Sequence, residues 1–558
     1  MNRKEQIKAL DGTAVDVLIV GAGINGTGTF RDLALNGVSV LLIDKGDFCS
    51  GASSASSHMA HGGIRYLENG EFRLVKEAVR ERNRMIENAP HIVRPLPTVV
   101  PIFKVFSGLL NAPLKFFNLL DKPSERGALV IKLGLILYDS FTKAQKTVPP
   151  HTFDNAERSI KRFPHLSKAV KYTATYYDGQ ILSPERYVID LIKDSLAEGA
   201  HAQALNYIQF DGVTEGKATL TDLESGQHAQ VKAKIIVNAS GPWIDLTNHS
   251  AGLSKHYIGG TKGSHIIVDN PGLRQAIGKH EFFFENKDGR IVLIFPFFDK
   301  VIIGTSDLAI QNPDDAKITD AEVDYFLELT RHIFPNIPVT KEQIVFSFCG
   351  VRPLESIKAK TAGQITRDHS IKTDVVDGVP VFSLVGGKWT SYRAFSEQTA
   401  DECMATLGIL RTKGTQNLPI GGGRNYPPFG LAQIEFIKSI SPLGQAKEFE
   451  PRALFDRYGT VAGEVVSYIR AGTAKKLAAY PALTDREINY LVQHEGALHV
   501  EDILVRRTSI AWLGLYSKEL IREIAQVMGA ELGWGDTKLK EEIARTINYL
   551  KARHNVDC

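Results

Sequence analysis

Two runs near the start of the chain place residues where chemistry could be done. Gly21-Ala22-Gly23-Ile24-Asn25-Gly26 has the spacing of a turn that holds a pyrophosphate. Gly21 permits the tight turn, Gly23 lets the backbone approach the phosphates, and Gly26 lets a helix pack on the preceding strand. At Ile24 and Asn25 the start of that helix offers free N–H groups and the positive end of its dipole. Asp44 follows at the distance where an acid takes the ribose hydroxyls of a dinucleotide. The second run is Ser53-Ser54-Ala55-Ser56-Ser57-His58, then His61-Gly62-Gly63-Ile64-Arg65-Tyr66-Leu67-Glu68. Ser53, Ser54 and Ser57 suit a loop wrapped around a pyrophosphate and a flat ring system, and Gly62 and Gly63 let backbone touch that ring. His61, Arg65 and Tyr66 gather polar groups where an apolar core would exclude them.

Such residues need a scaffold. Val15 to Val20 reads as a buried strand, the following segment as a helix with Phe30, Leu33, Ala34 and Leu35 on its apolar face, and Val38 to Ile43 as a second strand. Strand, turn, helix and strand together predict a dinucleotide site. Ile235-Ile236-Val237, running into Asn238 to Trp243, fits a third strand of the same sheet. Arg290 to Phe297 and Val301 to Gly304 read as a hairpin, and Phe382 to Lys388 restores a parallel-type strand with a glycine turn. The expected fold is α/β. A discontinuous Rossmann-type domain spans 14–245 and 346–415, with a β-rich substrate domain, 246–345, inserted. A helical domain, 428–558, follows, in which Thr484-Asp485-Arg486-Glu487 reads as a capping box. No chemistry is visible in that tail, which is expected to serve packing or association into a homodimer.

Composition narrows the function. A chain of 558 residues is too long for one core. A net charge of +3 with no dense basic run excludes a nucleic-acid binder. Four scattered cysteines without a CxxC pair exclude the usual cysteine-ligated metal sites and fit a reducing cytosol. The apolar run nearest the N-terminus is the first strand of the nucleotide fold, not a cleavable leader. No run of 18 apolar residues occurs, so no helix is expected to span a membrane. Residues 101–146 are unusual. Lys104, Lys115, Lys122, Arg126, Lys132, Lys143 and Lys146 interleave with Phe, Leu and Ile and are opposed only by Asp121, Glu125 and Asp139. Such a basic amphipathic insertion either lies on a bilayer surface or packs on the domain as a solvated helical insertion.

With these motifs stand Asn238 to Trp243, Lys262-Gly263-Ser264-His265, Ile303 to Asp307, Gly350-Val351-Arg352-Pro353-Leu354, Ile365-Thr366-Arg367-Asp368 and Gly386-Gly387-Lys388. In this order, from about residue 14 to 400, they resemble the FAD-dependent glycerol-3-phosphate dehydrogenases, and the helical tail is similar to that family's C-terminal domain. HGGIRYLE and GVRPL carry most of the specificity. The resemblance implies FAD as cofactor, hydride transfer from C2 of sn-glycerol 3-phosphate to give dihydroxyacetone phosphate, and a quinone as electron acceptor. It thereby implies a protein on the inner face of the cytoplasmic membrane.

The resemblance also assigns residues. Arg352 and Arg367 supply forked cations for the phosphate, Lys388 a point charge and Tyr66 a hydroxyl, while Arg65 polarises the C2 oxygen. His265 and His61 are the two candidate bases, with the preference for His265 because it belongs to the substrate domain, and with His61 as a flavin contact. Gly241, Gly387, Lys388 and Thr390 would line the flavin and Thr305 would sit close by. His58 stands where relatives carry lysine, which implies altered contacts to the pyrophosphate. The alternative within the class is a glycerol-3-phosphate oxidase releasing hydrogen peroxide. The long insertion between GVRPL and the ITRD arginine that marks those oxidases is absent here. A flavin protein without turnover is disfavoured by retention of both imidazoles and all three cations.

Overall fold

The computed structural model describes residues 3–64, 71–104, 128–142, 147–286, 290–356, 369–441 and 449–557. The first strand, Ala14–Val20, is apolar because it runs through the middle of a parallel sheet. Val40–Ile43 lies parallel on one side of it and His228–Asn238 on the other. Val379–Gly386 then adds parallel to His228–Asn238, and Ala202–Leu205 parallel to Val40–Ile43. The expected third strand and the late parallel strand both take their places. Helix Ile24–Leu35 differs from expectation in being buried almost all round. Helix Tyr392–Leu407 packs so close that a Cβ on Gly28 would stand 2.3 Å from Ser396 Oγ.

The second sheet is mixed, mostly antiparallel. Thr261–Val268 pairs with Lys300–Gly304 on one side and Ile344–Arg352 on the other. The hairpin Ile291–Phe297 to Lys300–Gly304 is present, and Glu281–Glu285 continues the sheet to Val93–Ile102 and Tyr172–Ile181. The sheets therefore divide the chain differently from the expected boundaries. Strands 93–102 and 172–181 lie within 14–245 and strand 344–352 straddles residue 346, yet all belong to the second sheet. An apolar strand pattern reports burial, not the identity of the neighbour, so sheet membership was not legible.

The C-terminal helices pack on strand Ile344–Arg352 of the second sheet, and the turn Asp502–Arg507 packs on helix Pro184–Leu196. At Thr484 only half of the expected capping box forms. Thr484 Oγ1 accepts the Glu487 amide at 3.0 Å, but the Glu487 carboxylate turns inward to Arg457 and to the Tyr458 hydroxyl, 2.8 Å away. Of the basic 101–146 segment, residues 105–127 and 143–146 lie outside the described residues. Its helix Ala128–Thr142 buries Leu135 and Tyr138 and exposes Leu129, Leu133, Ile136 and Leu137. No helix among the described residues is long and apolar enough to cross a membrane.

Candidate active site

The glycine turn is built as its spacing predicts. Gly21 has φ +109°, and a Cβ there would fall 2.6 Å from the Ala239 carbonyl oxygen. A Cβ on Gly26 would fall 1.9 Å from the Gly21 carbonyl, so Gly26 is behind the turn, where helix meets strand. Gly23 caps the helix and has no side chain to satisfy its N–H groups. Ser53 Oγ accepts the Ile24 amide at 2.9 Å, which brings the serine loop across the helix start. Asn25 Oδ1 is buried without a hydrogen-bond partner beside this opening. The Asp44 carboxylate accepts the amides of Ala22 at 2.7 Å and Gly46 at 2.9 Å. Burial raises its pKa to about 6, with those two amides pulling the other way.

One cavity of about 1570 Å³ runs from this turn to His61, His265 and Arg352. That exceeds the ~300–1,000 Å³ of a site for one small ligand and suits an extended dinucleotide with a substrate at its end. A helix start whose N-cap, Gly23, brings no side chain to its N–H groups, lying beside a glycine cradle, is a donor set that fits the pyrophosphate of FAD.

The other end of the cavity is polar. His265, on strand Thr261–Val268, is buried and stacks on Phe348 with ring centres 4.6 Å apart. Its Nε2 lies 2.9 Å from Ser57 Oγ, and its Nδ1 has no partner. Burial first, and then the positive Arg352, hold its pKa well below the ordinary range. His61 is placed differently. Its Nδ1 is 3.3 Å from Asp178 Oδ2, and Asp178 also accepts the Gly62 amide at 2.7 Å and the Tyr138 hydroxyl at 3.2 Å. Burial alone would raise the Asp178 pKa. The bonds to His61 and Gly62 and the nearby Arg82 outweigh it, so the carboxylate stays ionised. Arg352 donates to Asp307 at 3.0 Å, to Thr305 Oγ1 at 3.1 Å and to the Ser306 carbonyl at 3.2 Å. Strand register sets this meeting: His265 lies opposite Phe348 and Gly304, and Thr261 opposite Arg352.

Of the residues expected from sequence, Gly21, Gly23, Ile24, Asn25, Asp44, Ser53, Ser54, Ser57, His61, Gly63, Gly241, Thr305, Gly387, Lys388 and Thr390 line this cavity together with His265 and Arg352. Gly26 and Gly62 stand behind its wall, Gly62 because the Tyr138 hydroxyl occupies the space a Cβ would need. Arg65, Tyr66 and Arg367 lie outside the described residues. His58 does not reach the pyrophosphate side. It is buried among the rings of Phe297, Phe348 and Trp512, and burial lowers its pKa to about 4. Sequence reading missed Asp178, whose partner His61 is distant along the chain. It also missed the C-terminal tail, which brings Trp512, Arg506 and Tyr549 to the cavity wall. Among the described residues no His, Cys, Asp and Glu cluster could hold a metal ion.

Comparison with known proteins agrees with this geometry. The family profile for FAD-dependent oxidoreductases matches residues 16–378, and that for the C-terminal domain of alpha-glycerophosphate oxidase matches residues 413–539. A glycerol-3-phosphate dehydrogenase of Synechocystis sp. is 33% identical over 570 aligned residues, covering 97% of each chain. A D-erythritol 1-phosphate dehydrogenase of Brucella abortus is 29% identical, covering 88% of this chain and 94% of its own. The crystal structure of the Bacillus halodurans glycerol-3-phosphate dehydrogenase complexed with FAD superimposes with a TM-score of 0.75 at 23% identity, covering 98% and 97% of the two chains, a likeness of fold. The chain therefore belongs to the FAD-dependent oxidoreductases and, among them, to the glycerol-3-phosphate dehydrogenase family.

Proposed function

We propose that this protein oxidises sn-glycerol 3-phosphate to dihydroxyacetone phosphate and passes the electrons to a membrane quinone. The observation that carries this reading is a single cavity. It joins a dinucleotide turn at one end to two imidazoles and the cations Arg352 and Lys388 at the other. Bound FAD supplies the acceptor for the C2 hydride. The chain's own groups do the rest. Arg352, already forked toward Thr305 and Asp307, binds the phosphate with Lys388, Arg367 and Tyr66, and Arg65 polarises the C2 oxygen.

The hydroxyl proton leaves as the hydride does. His61 is the better acceptor, because ionised Asp178 on its Nδ1 fixes the tautomer and stabilises the imidazolium. His265, buried beside Arg352 without a carboxylate partner, orients the hydroxyl instead. This reverses the preference drawn from sequence.

The acceptor and the membrane belong together. The exposed Leu129, Leu133, Ile136 and Leu137 recur at helical spacing on one face of Ala128–Thr142, with Lys132 on the exposed side of the same helix. That face suits the acyl boundary of an anionic bilayer at the inner side of the cytoplasmic membrane. Leu133→Asp with Ile136→Asp should release the protein from anionic vesicles and leave dye-coupled activity intact.

Anaerobic addition of sn-glycerol 3-phosphate to the purified flavoprotein tests the whole reading. It requires bleaching of the flavin absorbance that a soluble quinone reverses and air reverses slowly. Rapid recovery in air would make the protein an oxidase. Faster bleaching by D-erythritol 1-phosphate would move the substrate to the longer polyol phosphate.

A further inference from the structure

The loop that wraps the cofactor is held from outside by the C-terminal domain. Asp47 lies three residues beyond Asp44, in the stretch whose Ser53 closes over the helix start. Its carboxylate is buried, and every side chain bonded to it comes from far along the chain. Arg507 grips it with both branches, Nη1 to Oδ2 at 2.7 Å and Nη2 to Oδ1 at 2.9 Å. Arg506 Nε donates to Oδ2 at 2.7 Å and Asn206 Nδ2 to Oδ1 at 2.8 Å. Both arginines end a wide helical turn, Asp502–Arg507, of the i to i+5 kind that interrupts regular helices. Arg507 is fixed in turn by the Glu495 carbonyl at 2.8 Å, and Arg506 by Asp502. Phe48, next to Asp47, packs against Gly496 of the same domain.

A fork on a carboxylate fixes direction as well as distance. The loop that must present Asp44 at one end and Ser53 at the other is therefore locked at a point between them. We propose that Arg506 and Arg507 are positioning residues for the cofactor, and that the C-terminal helical domain is thereby part of the FAD site although Arg507, unlike Arg506, stands off the cavity wall. The proposal rests on FAD occupying the cavity described above.

The test uses the full chain purified as holoenzyme, with Arg507→Lys, which keeps the charge and loses the fork, and Asp47→Asn as a second, milder variant. FAD is stripped and its dissociation constant measured by quenching of flavin fluorescence on reconstitution. Turnover is then measured with FAD in excess. The proposal expects FAD affinity to fall about tenfold or more in Arg507→Lys, with kcat and KM for sn-glycerol 3-phosphate restored within about twofold once FAD saturates. An unchanged FAD dissociation constant with a lowered melting temperature of the apoprotein would overturn it and leave a purely structural ion pair. Failure of excess FAD to restore kcat would overturn it too. Should Arg507→Lys not fold, the same criteria apply to Asp47→Asn. Wild-type protein that takes up no FAD would instead refute the cofactor reading beneath.

Discussion

At the scale of residues, the two imidazoles of the cavity have opposite surroundings, and the opposite roles proposed for them rest on that contrast. His61 has a carboxylate behind it; His265 has a phenyl ring beneath it and a guanidinium nearby. Asp178→Asn keeps the shape but removes the charge that steadies the protonated ring. It should lower kcat about 100-fold, within the range of a lost acid–base contribution, and shift the acid limb of the kcat/KM profile, with FAD content unchanged. Steady-state kinetics across pH will check this. Arg352→Leu should raise KM about 10- to 100-fold, since each charge-assisted bond to phosphate contributes roughly 1.5–3 kcal/mol. Both histidines and Arg352 were legible in sequence because their motifs are local and specific. Asp178 was not, because only the pairing of strands Met59–Ala60 and Tyr172–Ile181 brings it under His61. His58 was misplaced for a related reason: its aromatic enclosure draws on Phe297, Phe348 and Trp512 from three distant segments.

At the scale of elements, the fold was legible where geometry is set by neighbours in sequence. The strand, turn and helix of residues 14–35 follow from an apolar run and three glycines, and the turn leaves no room for change. Gly26→Ala would put a methyl within 2 Å of the Gly21 carbonyl, so the purified variant should lack the flavin absorption band. Gly304→Ala gives a contrasting result. Its Cβ would fall 2.2 Å from His265 Cδ2, on the neighbouring strand and far from the phosphate turn. That variant should retain FAD and lose turnover, a combination that absorbance and a dye-coupled assay separate. What sequence could not supply was the assignment of strands to sheets. The sequence reading places no strand at Val93–Ile102 or Tyr172–Ile181, and nothing local says that they extend the sheet bearing His265 rather than the one bearing the glycine turn.

At the scale of the molecule, the helical tail is bonded to the nucleotide domain by buried charge. His499 is fully buried between Glu542 and Glu224, each 2.9 Å from a ring nitrogen. Burial would lower its pKa, but the two carboxylates outweigh burial and raise it to about 10. An unfolded histidine titrates near about 6.5. The folded state therefore binds this proton more tightly, and the stabilisation is complete below about pH 6.5 and lost as pH rises through about 10. The melting temperature should fall between pH 7 and 10 more steeply in the wild type than in His499→Gln, which differential scanning calorimetry can follow. None of this bonding was legible in the sequence of the tail, where buried charges look like those of any solvated helix.

The order of strands in the parallel sheet also bears on how the protein is made. The phosphate turn is finished once its first residues leave the ribosome, yet the neighbour of its third strand, Val379–Gly386, and the wall residue Gly387 are translated only after the whole second sheet. Throughout that interval the nascent chain carries the Ile236–Asn238 end of His228–Asn238 without the neighbour it later gains, an edge open to other strands. Completion of the flavin cavity is thus an act of the nearly complete polypeptide, and the same late strand that brings Gly387 to its wall also closes the exposed edge.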